Sequence, residues 1–394
     1  MQCKTINEEQ AHSFAIKYVF CIILISSFIL SFTNYVAPQI IHSISAQLQM
    51  IEVPEIVNST QMEESINFTK AYIGSIEWTN NMTYGEILKN KKYSGCNLCS
   101  YKKDNDTIAN STPDDLIIGL LYSDFPNNLL TLVRSIRTTG CKATIAILTC
   151  TDVEKQLPPK YLENLENCGV NLVPIPRIGR IQNIHGNLLR HLIFAMFLNQ
   201  YWKSFNRVVI LDVYDTYFQR DPFTTEFNMT NVFFSYESKK FSVNGVNNLW
   251  VSRLDANYSK SKYFDKYPLC SGLFVGTSEN LVKFYRTFVN LSFWKWVAFK
   301  AQDQGTLNAM FYNNKFGDLV QIDPDRKYVS AYLHNFIKSE NKTDLVRYDD
   351  GVIPRIIHQY DRKQQSSEFI KTACPMLGFW QRKPYARYDW RHIS

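Results

Sequence analysis

The chain has 394 residues and a formal net charge of +7, from Lys+Arg 43 against Asp+Glu 36, with no dense run of one sign. It carries no internal repeat and no low-complexity segment, so neither a solenoid nor a polar tract organises it. The mild basic excess suits anionic small molecules, and the topology read below excludes nucleic acid in practice.

The first 17 residues are a polar tail. Tyr18 to Ala37 follows without a charge, and twenty helical residues rise about 30 Å, the thickness of a bilayer's hydrocarbon. Lys4 and Lys17 precede this span and the next Lys or Arg is Lys70, an asymmetry that places the tail in the cytosol and the rest across the membrane. The length of the tail favours an uncleaved anchor over a signal peptide. Asn58, Asn67, Asn81, Asn105, Asn110, Asn228, Asn257, Asn290 and Asn341 each open an Asn-x-Ser/Thr sequon, all on the side expected to be luminal. The expectation is a single-pass type II glycoprotein of the Golgi or ER membrane.

Residues 38–112 are polar and irregular and are expected to form a luminal stem. Cys96 and Cys99 make a C-x-x-C, but no second pair follows at zinc-ligand spacing and no thioredoxin-like context surrounds it. In an oxidising lumen Cys96, Cys99, Cys141, Cys150, Cys168, Cys270 and Cys374 are expected to be disulfide partners, the odd count leaving one over.

Residues 113–394 are long enough for one large α/β domain. Asp115 to Tyr122 predicts a strand, Asn127 to Thr138 an amphipathic helix, Ala143 to Thr149 a strand, Pro158 to Asn167 a helix and Gly169 to Pro174 a strand. This alternation implies a mostly parallel sheet flanked by helices. Gln182 to Lys203 predicts a helix whose Leu188, Leu189, Leu192, Ile193, Met196 and Phe197 form an apolar face. Val208 to Leu211 and Asn231 to Tyr236 are further strands, Phe241 to Tyr258 a long loop, Leu269 to Thr277 a strand and Asp303 to Tyr312 a helix. No glycine-rich loop follows the first strand, which disfavours a dinucleotide-type Rossmann site.

The strand at Val208 runs into Asp212 and Asp215. Ligands of open α/β sheets bind beyond the carboxyl ends of strands, and paired carboxylates there suit Mg²⁺ or Mn²⁺ with substrate phosphates. Two simpler readings stand beside this one: acids that only cap a turn, and a haloacid-dehalogenase-like nucleophile pair, whose acids are separated by one residue where these are separated by two.

The segment DVYDTYFQRDPF, Asp212 to Phe223, resembles the strand-end signature of GT-A-fold glycosyltransferases of the nucleotide-diphospho-sugar transferase type. Tyr214 stands where that group often has Arg. The likeness continues in Asp303-Gln304-Gly305 with Asn308 and in Ile357-His358-Gln359-Tyr360. It implies a Rossmann-like GT-A fold, Mn²⁺ or Mg²⁺ bound by Asp215, Asp212 and His358, and a nucleotide-sugar donor passing its sugar to a glycan or glycoprotein. It further implies that Tyr122 and Ser123 meet the nucleotide, that Arg190 near a helix start meets phosphate, and that Ser271, Gly272 and Gln304 approach the donor or acceptor. Asp303 would act on the acceptor or sugar side. Each residue also has a plainer reading: a solvated Arg190, a tight strand start at Ser271 and Gly272, a helix-capping Asp303 and a hydrogen-bonded structural His358. A catalytically silent carbohydrate-binding protein on the same fold is the alternative for the whole chain.

Overall fold

The computed structural model describes residues 87, 89, 91–101, 109–121, 127–149, 157–174, 186–224, 230–254, 262–289, 303–323, 329–331, 336–337, 345–348, 350–362 and 364–375. The chain divides into two compact units, residues 1–52 with 254–256 and residues 53–253 with 257–394, and every element named below lies in the second. The expected anchor at 18–37 and the expected contacts Tyr122 and Ser123 lie outside the described residues, as does Cys150. Among the described residues no helix is long and apolar enough to cross a membrane.

The unit is a mixed, mostly parallel sheet flanked by helices. In chain order it runs β1 (Leu116–Leu121), α1 (Asn127–Thr138), β2 (Thr144–Thr149), α2 (Pro159–Asn167), β3 (Val170–Pro174), α3 (Gly186–Tyr201), β4 (Arg207–Leu211), β5 (Thr216–Phe218), β6 (Val232–Tyr236), α4 (Gly245–Ser252) and β7 (Leu269–Thr277). Then come α5 (Ser278–Phe288), α6 (Asp303–Tyr312), β8 (Val320–Ile322), β9 (Val329–Ala331), β10 (Phe336–Ile337), β11 (Arg347–Tyr348), β12 (Ile356–His358) and α7 (Gln364–Ala373). The large sheet has the order β3-β2-β1-β4-β7-β6-β8. Strands β1 to β4 are parallel neighbours, whereas β7 runs antiparallel to both β4 and β6.

Every residue of β1 and β2 is buried, which is why these strands read as unbroken apolar runs and not as alternating ones. Each Ile or Leu so buried contributes about 1.5–3 kcal/mol. Around β6 and β7, Phe234, Phe274, Phe284, Phe288 and Phe316 form one aromatic cluster with ring centroids 4.6–6.4 Å apart.

A second sheet, β5-β12-β9, sets the site. Strand β5 follows the acidic turn by one residue and pairs antiparallel with β12, so that Thr216 faces His358 across 142 residues of sequence. The latter half of the acidic motif builds this layer. Gln219 donates to Val346 O at 2.9 Å and to Pro354 O at 3.1 Å and accepts from Val346 N at 2.6 Å. Asp221 accepts from the backbone N–H and the hydroxyl of Ser111 at 2.9 and 2.7 Å.

Two expectations need correction. Phe241 to Tyr258 is not a long loop: a 3-10 turn spans Phe241–Val243, and α4 follows with Asn244 as its N-cap, accepting from Asn247 N at 3.2 Å. The Asn-Gly pair that reads as a turn is a helix start. Cys141 and Cys270 are buried free thiols and not disulfide partners. Among the described residues disulfides join Cys96 to Cys168 and Cys99 to Cys374.

Both bridges fasten residues 91–101, within the stretch read as a stem, to the sheet unit. Arg134 adds hydrogen bonds to Asn97 O and Pro375 O, and Arg137 lies over the Tyr93 ring at 4.3 Å. Arg137 also donates to Cys141 O, Ala143 O and Cys168 O at 2.8–3.0 Å, satisfying carbonyls beyond the end of α1.

Candidate functional site

The site begins where β4 ends. Val213 is fully buried, and Gly119 of β1 leaves the space for it, since a Cβ on Gly119 would overlap Val213 Cγ1. The turn is tied on both sides. Asp212 Oδ1 accepts from Tyr214 N at 3.0 Å, Thr216 Oγ1 donates to Asp212 O at 2.6 Å, and Asn128 of α1 donates to Tyr214 O at 2.7 Å. With Val213 inward, Asp212 and Asp215 flank one polar cleft, and the additional residue between the acids is absorbed by the turn.

Strand β7 runs beside this turn, and Asp212 N donates to Gly272 O at 2.8 Å. Strand β12 approaches from the small sheet and places His358 Nδ1 2.9 Å from Asp215 Oδ1. Arg362 reaches Asp215 Oδ2 at 3.5 Å from the exposed rim. The next residue after His358, Gln359, has φ 61°. A non-glycine residue pays about 1–2 kcal/mol in that left-handed region, and the turn sends the Gln359 side chain to Glu237 at 3.4 Å.

Arg190, in the first half of α3, braces the other side. It donates to Asp212 Oδ2 at 3.2 Å, to Asp303 Oδ2 at 2.5 Å and to Ser271 Oγ at 3.4 Å. The same Asp303 oxygen accepts from Ser271 Oγ at 2.8 Å and lies 3.0 Å from His191 Nε2. His191 is buried among Phe194, Phe274, Tyr285 and Phe288. Gln304 completes the layer: its Oε1 accepts from Ser271 N at 3.1 Å, and its Nε2 donates to Asn247 at 2.8 Å and Glu237 at 3.1 Å. Asn308, one helical turn on, exchanges hydrogen bonds with both backbone groups of Leu269 and so locks α6 to β7.

These contacts set the charges. Burial favours the protonated form of Asp303, but Arg190 and His191 override it and hold the carboxyl far below its ordinary range. Burial is again the largest influence on Asp215, and His358, Arg362 and Arg190 overcome it to keep that carboxyl low. Burial and the neighbouring Asp215 raise Asp212. His358 is pushed down by burial but held well above the ordinary imidazole value by Asp215 and the buried Cys270 thiol. His191 is lowered, chiefly by burial.

The fold thus brings together Asp212, Asp215, Arg190, Ser271, Gly272, Asp303, Gln304 and His358. Sequence reasoning gave no site role to His191, Glu237, Asn247, Gln359 or Arg362. Glu237 carries the signal that marks Asp212, an acid directly after a strand, and Gln359 lies inside the Ile357 to Tyr360 segment, which drew attention to His358 alone.

Among the described residues no group of three or more His, Cys, Asp or Glu side chains is arranged to hold a metal ion. Two carboxylates and an imidazole are donor types a hard divalent cation takes, and here His358 Nδ1 and Asp215 Oδ1 stand 2.9 Å apart as an ion pair. Asp212 adds a second carboxylate, which now pairs with Arg190.

No protein-family model matches the chain, and no curated protein matches it. Among solved structures it is similar to a galactosyltransferase, LgtC, in complex with donor and acceptor sugar analogues, at 14% identity and TM-score 0.40 over 66% of this chain and 96% of that one. An active-site mutant of LgtC is similar at 14% identity and TM-score 0.39, over 66% of this chain and 95% of that one. Both likenesses are too distant to bear on function.

Proposed function

We propose that the chain is a GT-A-type glycosyltransferase that moves a sugar from a nucleoside-diphosphate donor to a glycan or glycoprotein acceptor. The observation that carries this reading is the convergence of Asp212 and Asp215, in the turn beyond the carboxyl end of β4, with His358, brought to them from a second segment far away in sequence. A turn cap needs no histidine brought to it from a second sheet. Asp215, Asp212 and His358 would hold Mn²⁺ or Mg²⁺, which when bound supplies positive charge to a diphosphate leaving group. Arg190 fixes the position of Asp212, and Asp303 fixes Arg190. Ser271 and Gln304 hold the start of β7 against α6, so that the backbone at Gly272 backs the His358 ring.

The same proposal places the protein as a type II membrane glycoprotein of the Golgi or ER. Residues 1–17 would be cytosolic, 18–37 the anchor, 38–112 the stem and 113–394 the luminal catalytic part. The sequons and the Lys/Arg asymmetry support this placement.

The test is release of nucleoside diphosphate by the purified full-length chain from a panel of nucleotide sugars, with and without Mn²⁺. Metal-dependent release from one donor, abolished in Asp215→Asn, is expected. No release and no metal-dependent donor binding by folded protein would instead favour the silent carbohydrate-binding reading.

A further inference from the structure

Beside Gln304 and Gln359 stands Glu237, a carboxylate that the metal and positioning roles leave unused. Glu237 follows β6 directly, just beyond the last β6–β7 pair, Tyr236 with Leu269. Its backbone N–H donates to Pro268 O at 2.7 Å, which fixes the residue at the sheet's edge. Oε1 accepts from Gln304 Nε2 at 3.1 Å and from Gln359 Nε2 at 3.4 Å. Both donors are neutral amides. Among the described residues no cation pairs with Glu237, and no donor is within hydrogen-bond reach of Oε2.

The two amides come from the two motifs that frame the cleft. Gln304 follows Asp303, and Gln359 follows His358 with its backbone in the left-handed region. Glu237, 9% exposed, is therefore oriented through one oxygen by the same segments that place the candidate metal ligands, while no described donor engages the other. Asp303 has the opposite arrangement. Arg190, His191 and Ser271 all engage one of its oxygens, and the residue is only 2% exposed. A carboxylate held in that way has little tendency to accept a proton, and its contacts orient Arg190.

We infer that Glu237 is the general base of the transfer, receiving the acceptor hydroxyl on Oε2. The inference rests on the glycosyltransferase reading above and deepens it. As the acceptor oxygen bonds to the anomeric carbon, the bond from that carbon to the diphosphate oxygen breaks, its electron pair leaving with the diphosphate. The hydroxyl proton passes to Glu237 and from there to solvent, which restores the carboxylate. A single displacement of this kind inverts the anomeric configuration.

Water serves as the acceptor probe, so the test needs no knowledge of the natural one. The full-length chain is assayed with Mn²⁺ for diphosphate release from UDP-glucose, UDP-galactose, UDP-N-acetylglucosamine and GDP-mannose. Glu237→Gln keeps an oxygen for the two amides and removes the proton acceptor. Its kcat is expected to fall about 10²–10⁴-fold, the usual contribution of a general base, with donor KM and donor Kd within about twofold of wild type. Release at the wild-type rate overturns the inference, as does loss of donor binding together with kcat, the mark of a purely structural carboxylate. Should Glu237→Gln not fold, Glu237→Ala, which also lacks a proton acceptor, decides on the same criteria. Failure of the wild type itself to act on any donor defeats the glycosyltransferase reading, and the inference falls with it. An active wild type beside an unimpaired Glu237 variant defeats the inference alone.

Discussion

His358 occupies the space that a side chain at position 272 would fill: a Cβ on Gly272 would overlap the imidazole at Nε2. The glycine of the Ser-Gly-Leu segment is therefore explained by its neighbour in the second sheet. Gly272→Ala should force His358 away from Asp215 or push β7 off β12. Overpacking of this kind costs about 1–3 kcal/mol, and displacing a metal-ligand histidine lowers affinity or activity about 10–100-fold. Denaturant unfolding and Mn²⁺-dependent donor turnover measure the two effects separately.

His358 is charged in the absence of a cation, because Asp215 outweighs the effect of burial. A divalent ion binding there must displace that proton. Mn²⁺ affinity, measured calorimetrically, should therefore rise about tenfold per pH unit up to the raised value of His358 and level off above it. A flat profile between pH 6 and 8 would remove His358 from the ligand set.

Asp303→Ala leaves Arg190 buried without its closest carboxylate. Breaking a buried pair in this way costs about 3–5 kcal/mol, whereas replacing both partners by apolar side chains costs much less. The double substitution Arg190→Met with Asp303→Leu should thus be more stable than Asp303→Ala alone. Thermal unfolding of the two variants gives the order directly.

His191 is neutral in the folded chain, with its value lowered chiefly by burial. An unfolded histidine takes up its proton near pH 6.5, so the unfolded state binds more protons below that point. Stability is full above about pH 6.5 and declines as pH falls toward the lower folded value. His191→Gln should flatten that part of the curve, at a cost in stability at neutral pH from the lost aromatic contacts. Urea midpoints between pH 5 and 8 check the sign.

Strands β1, β2, β4 and β7 were legible because they are short apolar runs buried almost throughout, and the acids stood out because they interrupt such a run, whereas β8, three residues long with Gln321 exposed, carried no such signal. What pairs with the acidic turn was not legible. Strands β5 and β12 have three residues each, and their pairing depends on contacts more than a hundred residues apart. The motif also looked more uniform than it is. Asp212 and Asp215 face the cleft, whereas Gln219 and Asp221 knit the small sheet and residue 111 together, work that any buried amide and carboxylate could do. Asn244 and Asn247 read as turn residues because asparagine favours both turns and caps. Only the fold shows the first capping α4 and the second holding Gln304. The cysteine partners were equally hidden, since spacing alone does not fix connectivity.

The bridge from Cys99 to Cys374 spans 275 residues of sequence, and this bears on the order of events during synthesis. Ribosomes add about 5–20 residues per second, so Cys99 waits roughly 15–55 s for its partner to be made. Throughout that interval Cys96 stands three residues away and Cys168 becomes available first. Correct maturation therefore requires Cys96, and not Cys99, to capture Cys168, and an oxidant that acts too early would seal the wrong ring. A shortened form beginning at residue 114 would escape this competition only by leaving Cys168 and Cys374 as unmatched thiols.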